Sequence, residues 1–242
     1  MCRFCLFIWK NTEGRVFHVK QSDILEKISV LLNEYGISFD VVQKKQLVDY
    51  VQLLREWSGQ INLVSKTDRN FLWERHIVPS LIYALFLPED GLSGSDILDF
   101  GSGAGFPGVV LSVLFKENNL ALLDSNRKKC LFLKHVRKRL NLNYSILNDR
   151  LENRIKDNRN RFSVVVARAV ASLPDLIRYV DPVVQKPGCL MVLKGDTYRQ
   201  ELSGFEIPAH ILISEKKIPE TWNNHFSYLK NKRFVVVEYT NV

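Results

Sequence analysis

One short stretch concentrates the residues able to do chemistry: Asp99-Phe100-Gly101-Ser102-Gly103-Ala104-Gly105-Phe106-Pro107-Gly108. Glycines let a backbone turn tightly and come close to a ligand. A helix that opens after such a turn presents N–H groups to carboxylates or phosphates. No Gly-Lys-Ser/Thr follows, which excludes a Walker A phosphate loop.

Two readings of the loop stand. Asp99-x-Gly101-x-Gly103-x-Gly105 fits the loop of methyltransferases that use S-adenosylmethionine, whereas Gly103-x-Gly105-x-x-Gly108 fits the dinucleotide fingerprint. Asp124 closes the next strand, where an acidic side chain reaches ribose hydroxyls in both classes; otherwise it caps the helix that follows. The dinucleotide reading leaves Gly101 unexplained and lacks a hydride-transfer site. Arg168 follows the fourth strand and Lys194 ends the fifth. Both therefore fall at the carboxyl ends of strands, where open α/β sheets bind ligands. Arg168, with its fork of donors, suits a cofactor or an RNA phosphate.

The elements that must position these residues fall into two textures. Ser22 to Phe86 reads as helical, with Ile24, Leu25, Ile28, Leu31 and Leu32, then Leu47, Val51, Leu54 and Trp57, at helical spacing. Residues 61–65 read as a connector. A further helix passes through Phe71, Leu72 and Ile77, with Pro79 set to kink or restart it. Asp90, Gly91, Ser93, Gly94 and Ser95 mark a boundary. Strands are then expected at 97–100, 120–123, 144–147, 162–167 and 189–193. Helices are expected at 109–115, 126–140 and 173–184. Two closing strands, 210–215 and 233–239, have no helical pattern between them, which predicts an antiparallel end to a mostly parallel sheet. Residues 1–21 read as a poorly ordered leader, 22–90 as a helical N-terminal region and 91–242 as the ligand-binding domain.

The 242 residues carry a formal charge of +8, which favours polyanionic partners. Hydrophobic residues at 46% suffice for a sizeable core. No run is long enough to span a bilayer, and the apolar start from Leu6 to Trp9 is too short for a signal peptide. Cys2 and Cys5 are half a zinc motif without a second pair, Cys130 and Cys189 are isolated, and no metal site is expected. Arg127, Lys128, Lys129, Lys134, Arg137, Lys138 and Arg139 crowd one helix without an acidic residue, over an expected buried side of Leu131, Phe132, Val136 and Leu140. That face reads as solvated or as a phosphate contact.

Several strings together resemble one family: residues 97–108 with their Gly-Phe-Pro-Gly ending, Leu122-Leu123-Asp124-Ser125, Asn148-Asp149-Arg150-Leu151-Glu152, Ala167-Arg168-Ala169-Val170-Ala171-Ser172-Leu173 and Leu193-Lys194-Gly195. Trp57-Ser58-Gly59-Gln60-Ile61-Asn62-Leu63 and Glu74-Arg75-His76-Ile77 extend the resemblance through the helical part. The family is RsmG, also called GidB, the 16S ribosomal RNA guanine-N7 methyltransferases. The resemblance implies a Rossmann-like class I methyltransferase fold with a seven-stranded sheet, S-adenosylmethionine as cofactor, and a guanine of the 530 loop as target. The partner it implies is 16S rRNA or the small ribosomal subunit, met in the cytoplasm by a monomer that binds neither DNA nor membrane. It puts cofactor contacts on Gly101, Phe106, Leu151, Glu152 and Arg168, to which the loop and strand-end reading adds Gly103 and Asp124. RNA contacts are assigned to Lys134, Arg137, Lys138 and Lys194, and no residue is assigned chemical catalysis. One departure stands out. Pro79 precedes Ser80 where the family often has Asp, so any contact of that Asp is missing, and His76 reads as structural. A nicotinamide-dependent oxidoreductase and a non-catalytic RNA-binding protein remain the competing readings.

Overall fold

The computed structural model describes residues 6–10, 16–87 and 96–241. Cys2, Cys5 and the boundary at 90–95 lie outside the described residues. Within the segment read as a leader, β1 (Leu6–Lys10) and β2 (Val16–Lys20) pair as an antiparallel two-stranded sheet. Leu6 to Trp9 and Val16, Phe17 and Val19 are residue types that favour pleated backbone.

Three helices follow: α1 (Gln21–Asn33), α2 (Val41–Ser58) and α3 (Val78–Phe86). A capping box starts α2. Asp40 Oδ1 accepts from the Gln43 amide at 2.7 Å, and Gln43 Oε1 accepts from the Asp40 amide at 2.8 Å. Just before α3, Trp73–Ile77 forms a π-helical turn, and Pro79, in the first turn of α3, has no N–H to donate back into it. The restart at Pro79 therefore takes the form of a change in helix type.

The main sheet has seven strands in the order β5-β4-β3-β6-β7-β9-β8. They are β3 (Asp96–Phe100), β4 (Asn119–Leu123), β5 (Ser145–Leu147), β6 (Phe162–Ala167), β7 (Val184–Gly195), β8 (Ile211–Lys216) and β9 (Lys232–Tyr239). The first five strands in this order pair in parallel; β9 is antiparallel to both β7 and β8. The mostly parallel sheet with an antiparallel end agrees with the class I methyltransferase architecture. Helices α4 (Gly108–Leu114), α5 (Arg127–Leu140), α6 (Leu151–Arg154) and α7 (Leu173–Val180) connect the parallel strands. Helix α7 stops short of the expected 184 because Pro182 has no amide to extend it. A short helix, α8 (Glu220–His225), lies between the closing strands where none was expected. Six residues are too few to show a helical period, and tertiary burial of Trp222 anchors them.

Two apolar layers cover the sheet. One cluster joins α1, α2 and α3 to α4, α5 and β3, through residues such as Ile28, Leu47, Tyr83, Val109 and Phe132. The other packs α7 against the opposite face. The helical N-terminal region thus shares its core with the sheet. Gln43, Gln46 and Tyr50, on one face of α2, add polar contacts. Gln43 Nε2 donates to Val113 O (3.1 Å) and Leu114 O (3.2 Å), Gln46 Nε2 donates to Leu140 O (2.8 Å), and the Tyr50 hydroxyl donates to Ala104 O (2.7 Å). These bonds satisfy orphan carbonyls at the ends of α4 and α5 and in the glycine loop. Among the described residues no helix is long and apolar enough to cross a membrane.

Candidate cofactor cleft

The glycine loop links β3 to α4, and most of its amides are spent within the protein. The Gly101 and Ser102 amides both donate to Leu123 O at 2.9 Å, those of Gly105 and Phe106 to Ser102 O, and that of Gly103 to Asp124 Oδ2 at 2.8 Å. At the start of α4, the Gly108 amide donates to Asp99 Oδ2 at 3.0 Å. A pyrophosphate at this helix end would find its place taken by a buried carboxyl, which argues against the dinucleotide reading. Burial is the main cause that pushes Asp99 up to about 7, and its Oδ1 has no hydrogen-bond partner among the described residues.

Glycine is needed in this loop for steric reasons. At Gly101, with φ at +71°, a Cβ would lie 2.6 Å from Val170 Cγ2. At Gly105, with φ at +107°, it would lie 2.4 Å from Val109 Cγ2 and 2.8 Å from the Tyr50 hydroxyl. Both positions demand left-handed backbone and leave no room for a side chain.

Beside the loop, at the carboxyl ends of β3, β4 and β6, a cleft of about 320 Å³ is lined by Gly101, Asp124, Leu151, Glu152, Ala169 and Val170, among others. This volume falls in the range of about 300–1,000 Å³ common for small-molecule sites. Asp124 ends β4 nearly buried; besides Gly103, its Oδ1 accepts from the Asn126 amide at 2.7 Å. The helix-capping and ligand readings of Asp124 are thus compatible. A carboxylate has about four acceptor positions, and two amides leave capacity for a ligand. Leu151 is buried in the cleft wall and Glu152 is exposed at its rim. Ala169 holds φ at +55°, a left-handed conformation unusual for a residue with a Cβ. Such strain collects at ligand-binding turns.

Of the seven cofactor residues read from sequence, the cleft gathers Gly101, Asp124, Leu151 and Glu152, and Gly103 joins it through Asp124. Phe106 and Arg168 are not part of its lining. The buried Phe106 ring packs between Tyr50 (centroids 5.7 Å apart) and His76 (4.8 Å, stacked). The Arg168 guanidinium lies 5.9 Å from the Phe106 ring centre, bonds to Arg75 O, and is 3.2 Å from His76 Nδ1. Burial, reinforced by Arg168, lowers His76 to about 4. Its ring is therefore neutral, with Nδ1 accepting from Arg168 and the Nε2 proton turned toward Asp68 Oδ2 at 3.6 Å. Asp68 in turn accepts from Arg75 Nη1 at 2.6 Å. The sequence reading gives no role to Asp68 or Arg75; the π-helical turn puts the Arg75 carbonyl at Arg168, and Asp68 reaches this group through Arg75 and His76. It misses Tyr83 as well, whose hydroxyl donates to Ala167 O (2.7 Å) and accepts from the Leu193 amide (2.9 Å), tying the mouths of β6 and β7. Ser80, after the departing Pro79, is buried and donates to His76 O at 2.7 Å.

The expected RNA contacts are dispersed. Lys194 turns inward, donating to Ala171 O (2.8 Å) and pairing with Glu201 Oε2 (2.7 Å), which also accepts from the Leu173 amide. Here it braces the loop after β6. Lys134, Arg137 and Lys138 are exposed on α5. Arg137 Nη1 donates to Tyr144 O at 2.9 Å, at the amino end of β5 and away from the cleft. Leu131, expected on the buried side, is 49% exposed; Cys130 and Leu133 join Phe132, Val136 and Leu140 instead. The apolar stripe runs 130, 132, 133, 136 and 140, so three of the four expected positions are buried and only Leu131 is misplaced.

Comparison with known proteins agrees with this geometry. Residues 43–227 match the GidB family, described as rRNA small subunit methyltransferase G. A protein of Magnetococcus marinus named ribosomal RNA small subunit methyltransferase G is 35% identical over 187 residues, covering 74% of this chain and 83% of that protein. Its namesake in Klebsiella pneumoniae is 35% identical over 215 residues, covering 88% of this chain and 97% of that one. A crystal structure of a protein from Corynebacterium glutamicum shares the fold, with a TM-score of 0.52 at 13% identity over 80% of this chain and 91% of that chain. The chain belongs to the rRNA small subunit methyltransferase G family.

Proposed function

We propose that this protein transfers the methyl group of S-adenosylmethionine to N7 of a guanine in 16S ribosomal RNA of the small subunit, acting as a cytoplasmic monomer on RNA and not on DNA. The observation that carries the reading is the cleft beside Gly101, in a chain of this family. Its residues fit the cofactor. Asp124 keeps acceptor capacity for a ribose diol, Leu151 and Val170 offer apolar walls to an adenine, and Glu152 offers an acceptor at the rim. Gly101 lets the ligand approach the backbone closely. Phe106 supports Arg168 from behind, and its side chain is not assigned a direct contact.

When bound, the cofactor supplies an electrophilic methyl group on its sulfonium sulfur. Guanine N7 carries a lone pair and no proton, so its attack needs no general base. The work left to the chain is alignment of nucleophile and methyl. The loop 168–172, held by Arg168 on one side and by Lys194 on the other, forms the wall against which a base would be aligned. The Arg168 guanidinium keeps its charge and spends its donors on Arg75 O and the His76 ring, which fixes its position.

The test is incubation with methyl-labelled S-adenosylmethionine and unmodified small ribosomal subunits, followed by nuclease digestion and mass spectrometry. Label on N7 of one guanine is expected. Absence of label while the cofactor still binds would overturn the assigned target.

A further inference from the structure

The antiparallel end of the sheet carries a cationic cluster at the same edge as the cofactor cleft. Register establishes the edge. Leu123, Phe100, Ala167, Val192, Val235 and Glu215 lie in one row across six strands. Beyond that row on the cleft side come Lys216 on β8, Lys232 and Arg233 on β9, and Lys217 and Lys230 in the connection between them. Phe100 and Glu215 are four strand steps apart, roughly 19 Å at about 4.8 Å per step.

The cluster surrounds a cavity of about 280 Å³ whose lining includes Lys216, Lys217, Lys230, Lys232 and Arg233. Two carboxylates partly offset it. Glu220 pairs with Lys217 at 2.7 Å, and Glu215 pairs with Arg199 at 2.9 Å and Arg233 at 3.6 Å. Lys216, Lys230 and Lys232 take part in no ion pair among the described residues, and Lys232 lies 4.7 Å from the centre of the Tyr228 ring. By contrast, α5 begins at the cleft edge and runs down the sheet for 14 residues, about 20 Å. Its basic C-terminal turn ends at the opposite edge.

We infer that Lys216, Lys230 and Lys232 form the surface that holds the RNA backbone beside the target base, while the basic end of α5 does not. The inference rests on the RNA-methylating reading above. A base reaching the cofactor must enter at the carboxyl edge, and its flanking phosphates then fall along that edge. Lysines outside any ion pair supply point charges without sequence preference, as backbone contact requires. They complement recognition by the cleft and leave cofactor binding alone.

The experiment compares the wild-type protein with the Lys216→Gln/Lys230→Gln/Lys232→Gln variant in binding extracted small-subunit rRNA across a salt series, with S-adenosylmethionine affinity measured alongside. The variant is expected to bind rRNA roughly tenfold more weakly at low salt. Its slope of log affinity against log salt should flatten by about 0.7 for each phosphate that is no longer neutralised. Cofactor affinity should not change. Unchanged rRNA affinity and slope, with wild-type methylation intact, would overturn this surface and leave the RNA reading standing. Wild-type protein that neither binds nor methylates rRNA would overturn both.

Discussion

The two ends of the sheet solve different problems. At the β3–β4 end the backbone does the work. The strands are parallel, glycines take left-handed conformations, and nearly every loop amide has a protein partner. At the β8–β9 end the strands are antiparallel and the surface is a set of long side-chain charges with few partners. A small ligand of fixed shape needs the first kind of construction, because its fit is lost with small displacements. A polyanion needs the second, because its contacts are numerous and electrostatic. Damage should therefore separate: rigid-end variants lose fold or cofactor, and charged-end variants lose only RNA.

The largest effect is expected from Gly105→Ala, which combines a strained φ with a clash against Val109 and Tyr50. A loss of roughly 2–5 kcal/mol of stability should appear in urea unfolding. A midpoint within error of the parent would refute the steric account of the loop. Next comes Asp124→Ala, which removes both the anchor of Gly103 and the ribose acceptor. Cofactor affinity should fall by roughly ten- to a hundredfold in calorimetry, in line with about 1.5–3 kcal/mol for a charged hydrogen bond. Unchanged affinity would end the ribose assignment, and a changed RNA salt slope would blur the separation between the two ends.

A pH experiment sharpens the same end. Burial raises Asp99 to about 7 in the folded protein, against 3.8 ordinarily. Between these values the folded state holds a proton that the unfolded state has lost. Stability from this group therefore declines as pH rises from about 4 to 7 and is flat above. Asp99→Asn keeps an acceptor for the Gly108 amide and removes the titration. Its stability relative to the parent should rise from pH 5 to pH 8, and a constant difference would show that Asp99 does not titrate in this window. His76, lowered to about 4, acts in the opposite sense: stability tied to its neutral ring is present above about 6.5 and lost as pH falls toward 4. Because both proteins share His76, the comparison cancels it. The smallest effect is expected from neutralising Lys134, Arg137 and Lys138 together, where the rRNA salt slope should change by less than in the β8–β9 variant. An equal or larger change would return the RNA surface to α5.

Legibility follows the range of the interactions. Strand positions, the glycine loop and Asp124 can be read because a strand, a turn and a strand-end acid are local patterns. Helix α8 cannot, since six residues carry no period and Trp222 is anchored only by distant packing. On α5 the expected buried positions 132, 136 and 140 hold, and Leu131 alone is exposed while Cys130 and Leu133 take the remaining places. Lys194 looks like a free cation at the sheet mouth; Glu201, seven residues on, claims it.

The sequence by itself determined the parallel sheet, the loop chemistry and the family, because periodicity, glycine placement and motif strings are written along the chain. Only the tertiary structure decided which charges face the cleft edge and which face away, that Arg168 is tied to the π-helical turn, and that the buried Asp99 occupies the helix end a phosphate would use. Those outcomes depend on helix packing and on strand register, which bring together residues as distant as His76 and Arg168 or Lys194 and Arg233. No local pattern encodes such pairings, because their energy exists only once the intervening chain has folded.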